Sequence, residues 1–267
     1  MLKQLPVLAS LLLSVTAPGF LVLTPSRVDA ADLQTIKRRG RLIVAVKDNL
    51  RPLGFRGADG QIQGFEIDLA RQLAQELLGR ADAVELRPVL NQDRFKVITT
   101  GEVDFAIAKV TLTPSRFRIL NLSQPYYRDG AVVATRDPAI QTWANLAGKP
   151  IAVLNDSSTV EAVRRKLPTA VLISVPSYEE AKAAIERGQA LAVAADASVL
   201  AGWVQEFPQY RLLSPFLSTQ DLVIAFPKGQ QYEELRQEIE QILRRLYTRG
   251  WLEQRANYWG LPRNLSF

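Results

Sequence analysis

The chain has 267 residues, 47% hydrophobic and 22% charged, with a formal net charge of +6, which is enough for one large or two modest domains. It contains no cysteine and no histidine. That excludes disulfides and thiolate chemistry and makes a zinc site or a Ser-His-Asp hydrolase a poor fit. The basic residues are dispersed rather than gathered, so an acidic small ligand or acidic surface suits the charge better than nucleic acid does.

Residues 1–30 differ from the rest. Lys3 precedes a mostly apolar run over 5–23, and Val28-Asp29-Ala30 is a small-residue cleavage pattern. This predicts a secretory signal peptide cut after Ala30 or Ala31, the alternative being an uncleaved anchor. Without it the formal charge is +5, because Lys3 and Arg27 leave with Asp29.

A polar lead over 32–40 is followed by an alternating, β-branched strand over 41–47. Residues 48–55 read as a loop, with Pro52 and Gly54, and Gly57-Ala58-Asp59-Gly60 as a turn. Residues 64–78 predict an amphipathic helix. Phe65, Leu69, Leu73 and Leu77 share one face, Glu66, Arg71 and Gln75 turn away, and Gly79 stops it. A strand over 84–89, a short helix over 93–100 and a strand over 103–108 complete a unit with a mostly parallel sheet. At Thr113-Pro114 the chain enters a helix that Thr113 caps and Pro114 starts. Arg116 then lies in the first turn, the unfavourable end of the dipole for a cation unless an anion is held nearby.

Residues 126–136 predict a strand leaving this unit. A second α/β series follows: strands over 150–154, 170–175 and 190–195, with helices over 158–166, 178–187 and 197–206. A strand over 220–226, a long helix over 232–249 and a short terminal helix remain. This order predicts an inserted lobe reached by two connections, with a cleft at the carboxyl ends of both sets of strands.

Several stretches resemble the bacterial extracellular solute-binding proteins of family 3, the polar amino-acid receptors of ABC importers. They are Gly64-Phe65-Glu66-Ile67-Asp68-Leu69-Ala70, Gly101-Glu102-Val103-Asp104, Thr111-Leu112-Thr113-Pro114-Ser115-Arg116, Ser123-Gln124-Pro125-Tyr126-Tyr127 and Leu146-Ala147-Gly148-Lys149. The resemblance spans roughly 41–259. It implies an α/β clamshell of the periplasmic-binding-protein type II, two lobes joined by two hinge strands. Lobe 1 is then 31–130 with 222–267, and lobe 2 is 131–221.

The resemblance maps the ligand α-carboxylate onto Arg116 and Thr111. Independently, a guanidinium fork matches a carboxylate bidentately. It maps an opposing set of amides and hydroxyls onto Ser157 and Ser158, where Asp156 replaces the usual glycine, and an acceptor for the α-ammonium onto Asp196. A plain helix cap is the alternative at Asp196 and at the serines. Lys47 ends the first strand, the resemblance places Arg94 where the family's acidic-amino-acid binders carry an arginine, and Lys109 precedes Thr111, so with Arg116 four like charges are expected to line one cleft and would repel unless an anion joined them. A second carboxylate answers this, so glutamate or aspartate is the expected ligand, with Tyr178 reaching the distal carboxylate. The expected setting is the periplasm, as a monomer beside an inner-membrane ABC permease, with no nucleic acid, metal or cofactor. Two alternatives on the same scaffold are a dehydratase-like enzyme with Lys109 as base, and a sensor serving a membrane receptor.

Overall fold

The computed structural model describes residues 31–155 and 157–262, so the expected signal peptide lies outside the described residues. α1 (Leu33–Arg39) forms where a polar lead was expected. Asp32 accepts the Thr35 N–H at 2.7 Å, Gly40 ends the helix at φ 71°, and Leu33 and Ile36, three apart, bury its inner face. β1 (Leu42–Val46) is buried along its whole length, as a central parallel strand must be. Residues 48–63, expected as loop and turn, hold a small antiparallel sheet of β2 (Asn49–Leu50), β3 (Gly54–Arg56) and β4 (Ile62–Gln63). These strands are too short to show an alternating pattern.

α2 (Phe65–Leu78) follows, ended by Gly79 at φ 80°. Then come β5 (Val84–Pro88), α3 (Arg94–Thr99), β6 (Phe105–Ile107) and α4 (Pro114–Ile119). Thr113 caps α4 by accepting the Arg116 N–H at 3.3 Å, with Pro114 at the first position, as the sequence predicts.

The strand expected over 126–136 is two strands, β7 (Asn121–Asp129) and β8 (Ala131–Thr135), broken at Gly130. They belong to different sheets. The second lobe continues with β9 (Pro150–Leu154), α5 (Thr159–Lys166), β10 (Val171–Val175), α6 (Tyr178–Glu186), β11 (Ala192–Asp196), α7 (Ala197–Glu206) and β12 (Arg211–Leu213). β12 is a three-residue edge strand that sequence reading missed. The chain returns through β13 (Gln220–Phe226) and ends with α8 (Glu233–Thr248) and α9 (Trp251–Tyr258).

The first sheet has the order β5-β1-β6-β13-β7 and the second β10-β9-β11-β8-β12. Each has three parallel strands extended by antiparallel ones. Separate apolar clusters fill the lobes. One gathers Phe65, Phe105, Phe226 and Leu243, and another Val132, Ala181, Leu200 and Trp203. Gln220 and Asp221 pair with Asp129 and Arg128, so both belong to the first sheet.

The two crossings touch at Gly130. A Cβ built there would lie 1.9 Å from the Ser218 carbonyl oxygen, and the Ala131 N–H donates to Ser218 Oγ at 3.1 Å. Beside this crossing, buried Asp129 accepts the N–H and hydroxyl of Ser198, the second residue of α7. The cap of a helix in the second lobe therefore comes from the last residue of β7, in the first sheet.

Candidate functional site

The carboxyl end of β6 faces that of β11 across the gap between the lobes. Lys109, just beyond β6, is the centre of the arrangement. Its φ is 51°, the only positive value at a residue other than glycine among the described residues. Its N–H donates to Glu66 Oε1 at 2.9 Å, and its carbonyl accepts from Arg94 Nη1 at 2.9 Å. Its ammonium forms an ion pair with Asp196 Oδ2 of the second lobe.

Asp196 holds the position at which a side chain would cap α7, yet it makes no capping bond. Asp129 caps that helix instead, which releases the Asp196 carboxylate toward the first lobe. The plain-cap alternative for Asp196 is thereby corrected. Its Oδ1 is buried with no partner among the described residues.

Glu66 corrects another expectation. Helical periodicity turned it outward, but it is fully buried at the first turn of α2, where Tyr126 donates its hydroxyl to Oε1 at 2.5 Å. Burial raises its carboxyl above the ordinary value of 4.5. The Tyr126 hydroxyl, the Lys109 N–H and the charges of Lys109 and Arg94 oppose that shift without cancelling it. The folded chain thus holds this proton more tightly than the unfolded chain. The resulting stability is complete below the ordinary range and is lost as pH rises through the folded value. Glu66→Gln carries no such proton, so its thermal midpoint should gain on wild type as pH rises from about 4.5 to neutrality. Thermal scans across that range check this, and a constant difference between the two proteins would contradict it.

Arg94 opens α3 and holds the turn, with Nη1 donating to the Ala108 and Lys109 carbonyls at 3.0 and 2.9 Å. Burial, then the like charge of Arg116, bring its pKa down to about 10. Arg116 Nη1 donates to the Thr111 carbonyl at 2.6 Å, and burial lowers its pKa as well. The two guanidinium carbons lie 4.9 and 5.2 Å from the centroid of the same ring, Phe95. The Thr111 backbone bridges to Leu222 in β13, which anchors the turn to the returning chain.

Lys47 is drawn in rather than presented. It is 3% exposed, and its ammonium donates to the Val89 carbonyl at 2.8 Å. Burial, then Arg94, lower its pKa. The picture of four unbalanced cations is therefore corrected. Lys109 is paired with Asp196, and Lys47 is bonded to backbone. Sequence reading named Asp196 as an acceptor for a ligand but not as the partner of Lys109, 87 positions away.

In the second lobe, Ser157 Oγ accepts the Thr159 N–H at 3.2 Å, while Ser158 at the cap position of α5 makes no side-chain capping bond. Thr159, which sequence reading passed over, is 1% exposed, and its hydroxyl has no partner among the described residues. The hydroxyl-rich run Ser157-Ser158-Thr159 was the signal available for it. Tyr178 starts α6 and packs edge-on against Trp203 at 6.3 Å. Burial, followed by the charges of Asp196 and Asp129, raises its hydroxyl pKa. It also lines an interlobe cavity of about 460 Å³ between Leu50 and Arg51 on one side and Trp203 and Phe207 on the other. Arg116, Thr111 and Asp196 do not line that cavity. The site thus brings together Arg94, Lys109, Thr111 and Arg116 from one lobe and Asp196 from the other. Tyr178 stands at its flank and Lys47 lies behind it. No group of residues able to hold a metal ion occurs among the described residues.

The profile of the bacterial extracellular solute-binding proteins, family 3, matches residues 42–262. A glutamine-binding protein of Geobacillus stearothermophilus is 30% identical over 199 residues, covering 73% of this chain and 76% of that protein. The ABC transporter glutamine-binding protein of Bacillus subtilis is 27% identical over 230 residues, covering 85% and 84%. Among solved structures, an ancestral cationic amino-acid solute-binding protein superposes with a TM-score of 0.73 at 28% identity, covering 85% of this chain and 99% of the other.

Proposed function

Because the chain belongs to the bacterial extracellular solute-binding proteins, family 3, we propose that it captures a polar, acidic amino acid, glutamate or aspartate, and delivers it to an ABC permease. The observation that carries this reading is the pair of guanidiniums, Arg94 and Arg116, sharing the Phe95 ring. The charge of Arg116 already lowers the Arg94 pKa, so the two cations repel, and a carboxylate bound beside them relieves the cost. The α-carboxylate goes to Arg116 and Thr111, and the side-chain carboxylate goes toward Arg94. The α-ammonium goes to the open oxygen of Asp196. The serines and Thr159 at the start of α5 close from the second lobe, and Tyr178 borders the side chain. The relatives are named for glutamine and for cationic amino acids, so membership alone selects no side chain. The arginine pair is what favours an acid.

In this reading residues 1–30 direct export to the periplasm, and the monomer divides into 31–130 with 220–267 as one lobe and 131–219 as the other, the expected boundary at 222 moving two residues because Gln220 and Asp221 pair in the first sheet. The lobes close on the ligand about Gly130 and Ser218. The role is capture rather than catalysis. The relatives carry the names of binding proteins, and the one candidate base, Lys109, is engaged with Asp196.

A thermal-shift screen of the purified protein against the amino acids tests the proposal. A true ligand at about a hundred times its dissociation constant adds about 2.7 kcal/mol. That corresponds to about 5–10 °C for a chain of this size. Glutamate and aspartate are expected to give the largest shifts. A larger shift with arginine or lysine would overturn the acidic preference. No shift with any amino acid would overturn the receptor reading.

A further inference from the structure

Lys109 bears on ligand class as well as on ligand grip. A left-handed backbone is unfavourable for a residue with a side chain, so the fold holds Lys109 there against a local penalty. All three of its polar groups are committed: the N–H to Glu66, the carbonyl to Arg94 and the ammonium to Asp196. The side chains of the ion pair are 18% and 19% exposed, largely withdrawn from water. Each of the three partners retains one buried polar atom with no partner among the described residues: Glu66 Oε2, Arg94 Nε and Asp196 Oδ1. Unfilled hydrogen-bonding capacity therefore surrounds a carboxylate that already carries a cation.

We infer that Lys109 supplies from within the chain the ammonium that an amino-acid ligand would otherwise bring to Asp196, so that the cleft also takes small dicarboxylates lacking an α-ammonium. The inference rests on the proposed carboxylate grip at Arg116. In a cleft without Lys109, a ligand lacking the ammonium would leave Asp196 buried and unpaired, a heavy penalty. With Lys109 on Oδ2 that penalty is absent. An amino acid placing its ammonium on Oδ1 gains less, because a like charge is already seated on the same carboxylate. The selectivity between the two ligand classes, a difference of two affinities, therefore shrinks.

The test is calorimetry on wild type, Lys109→Ala and Lys109→Gly with two probe sets. One set is glutamate against 2-oxoglutarate and glutarate, and the other is glutamine against glutaramate. The glycine variant suits the left-handed backbone and guards against an alanine variant that fails to fold. Wild type is expected to bind glutamate and its ammonium-free analogues within about tenfold of one another. Both variants are expected to shift that ratio toward glutamate by about tenfold or more. Wild type preferring glutamate by more than about a hundredfold, with the ratio unmoved in the variants, overturns the inference and leaves the amino-acid receptor standing. If only the glutamine set binds, the acidic preference falls, and the ratio of glutamine to glutaramate decides on Lys109 in the same way. If neither set binds, the carboxylate grip fails and this inference fails with it.

Discussion

Arg116→Ala is expected to weaken ligand binding by about 2–5 kcal/mol, the range for truncating one partner of a buried, hydrogen-bonded charge pair. The guanidinium is half-buried, and burial already lowers its pKa, so it has lost part of its hydration before any ligand arrives. One arm is fixed on the Thr111 carbonyl at 2.6 Å, which orients the fork and reduces the ordering required on binding. The ligand-free protein should lose little. The substitution removes one bond to a carbonyl but also relieves the repulsion that Arg116 exerts on Arg94. Arg116→Lys keeps the charge and loses the planar fork, so its affinity should fall between wild type and alanine. Isothermal calorimetry with the ligand found by thermal shift checks the series. Undiminished affinity in Arg116→Ala would remove the residue from the site.

The second large effect is expected at Gly130→Ala. The new methyl would lie 1.9 Å from the backbone oxygen of Ser218. Neither partner can swing aside, because both belong to the crossings between sheets. The Gly130 carbonyl accepts the Ala197 N–H at 2.7 Å, and the Ala131 carbonyl accepts the Leu217 N–H at 2.7 Å. Overpacking of backbone against backbone should cost about 3 kcal/mol, or about 6–12 °C in thermal midpoint at this chain length. Gly148→Ala is the control. It has a positive φ of 69° but open space around it, so it should cost about 1–2 kcal/mol through backbone conformation alone. Equal midpoints in the two variants would show that the crossing can part without penalty.

Much of the fold was legible in the sequence because its long elements carry complete local signals. α2 and α8 have apolar faces at helical spacing, and the β-branched residues marked β1, although it is buried throughout rather than alternating as expected. The Thr113-Pro114 start of α4 was readable from capping chemistry alone. The misses were short elements. α1 buries only two residues, and β2, β3, β4 and β12 have two or three residues each, too few for a period to emerge. The break at Gly130 carried a local signal, the charged and turn-forming Arg128-Asp129-Gly130, but the apolar residues further out on both sides let it read as one strand, and the sheet assignments separate β7 from β8.

The candidate site divides in the same way. The resemblance to the family named Arg116, Thr111, Arg94 and Asp196, residue type added Lys109, and the turn at 107–116 carries Lys109, Thr111 and Arg116. The sequence by itself determined two α/β units in series, the second flanked by the strands that leave and return to the first. Those properties follow from hydrophobic period and strand order, which act over a few neighbouring residues. The tertiary structure alone decided how the charges balance. It buried Glu66 at a helix start that periodicity turned outward. It capped α7 with Asp129 rather than with the residue in the capping position. It also paired Lys109 with Asp196 across the two lobes. The physical reason is that a charge's partner is set by proximity in space and by the cost of leaving it buried alone. Neither is encoded in the residues beside it in the chain.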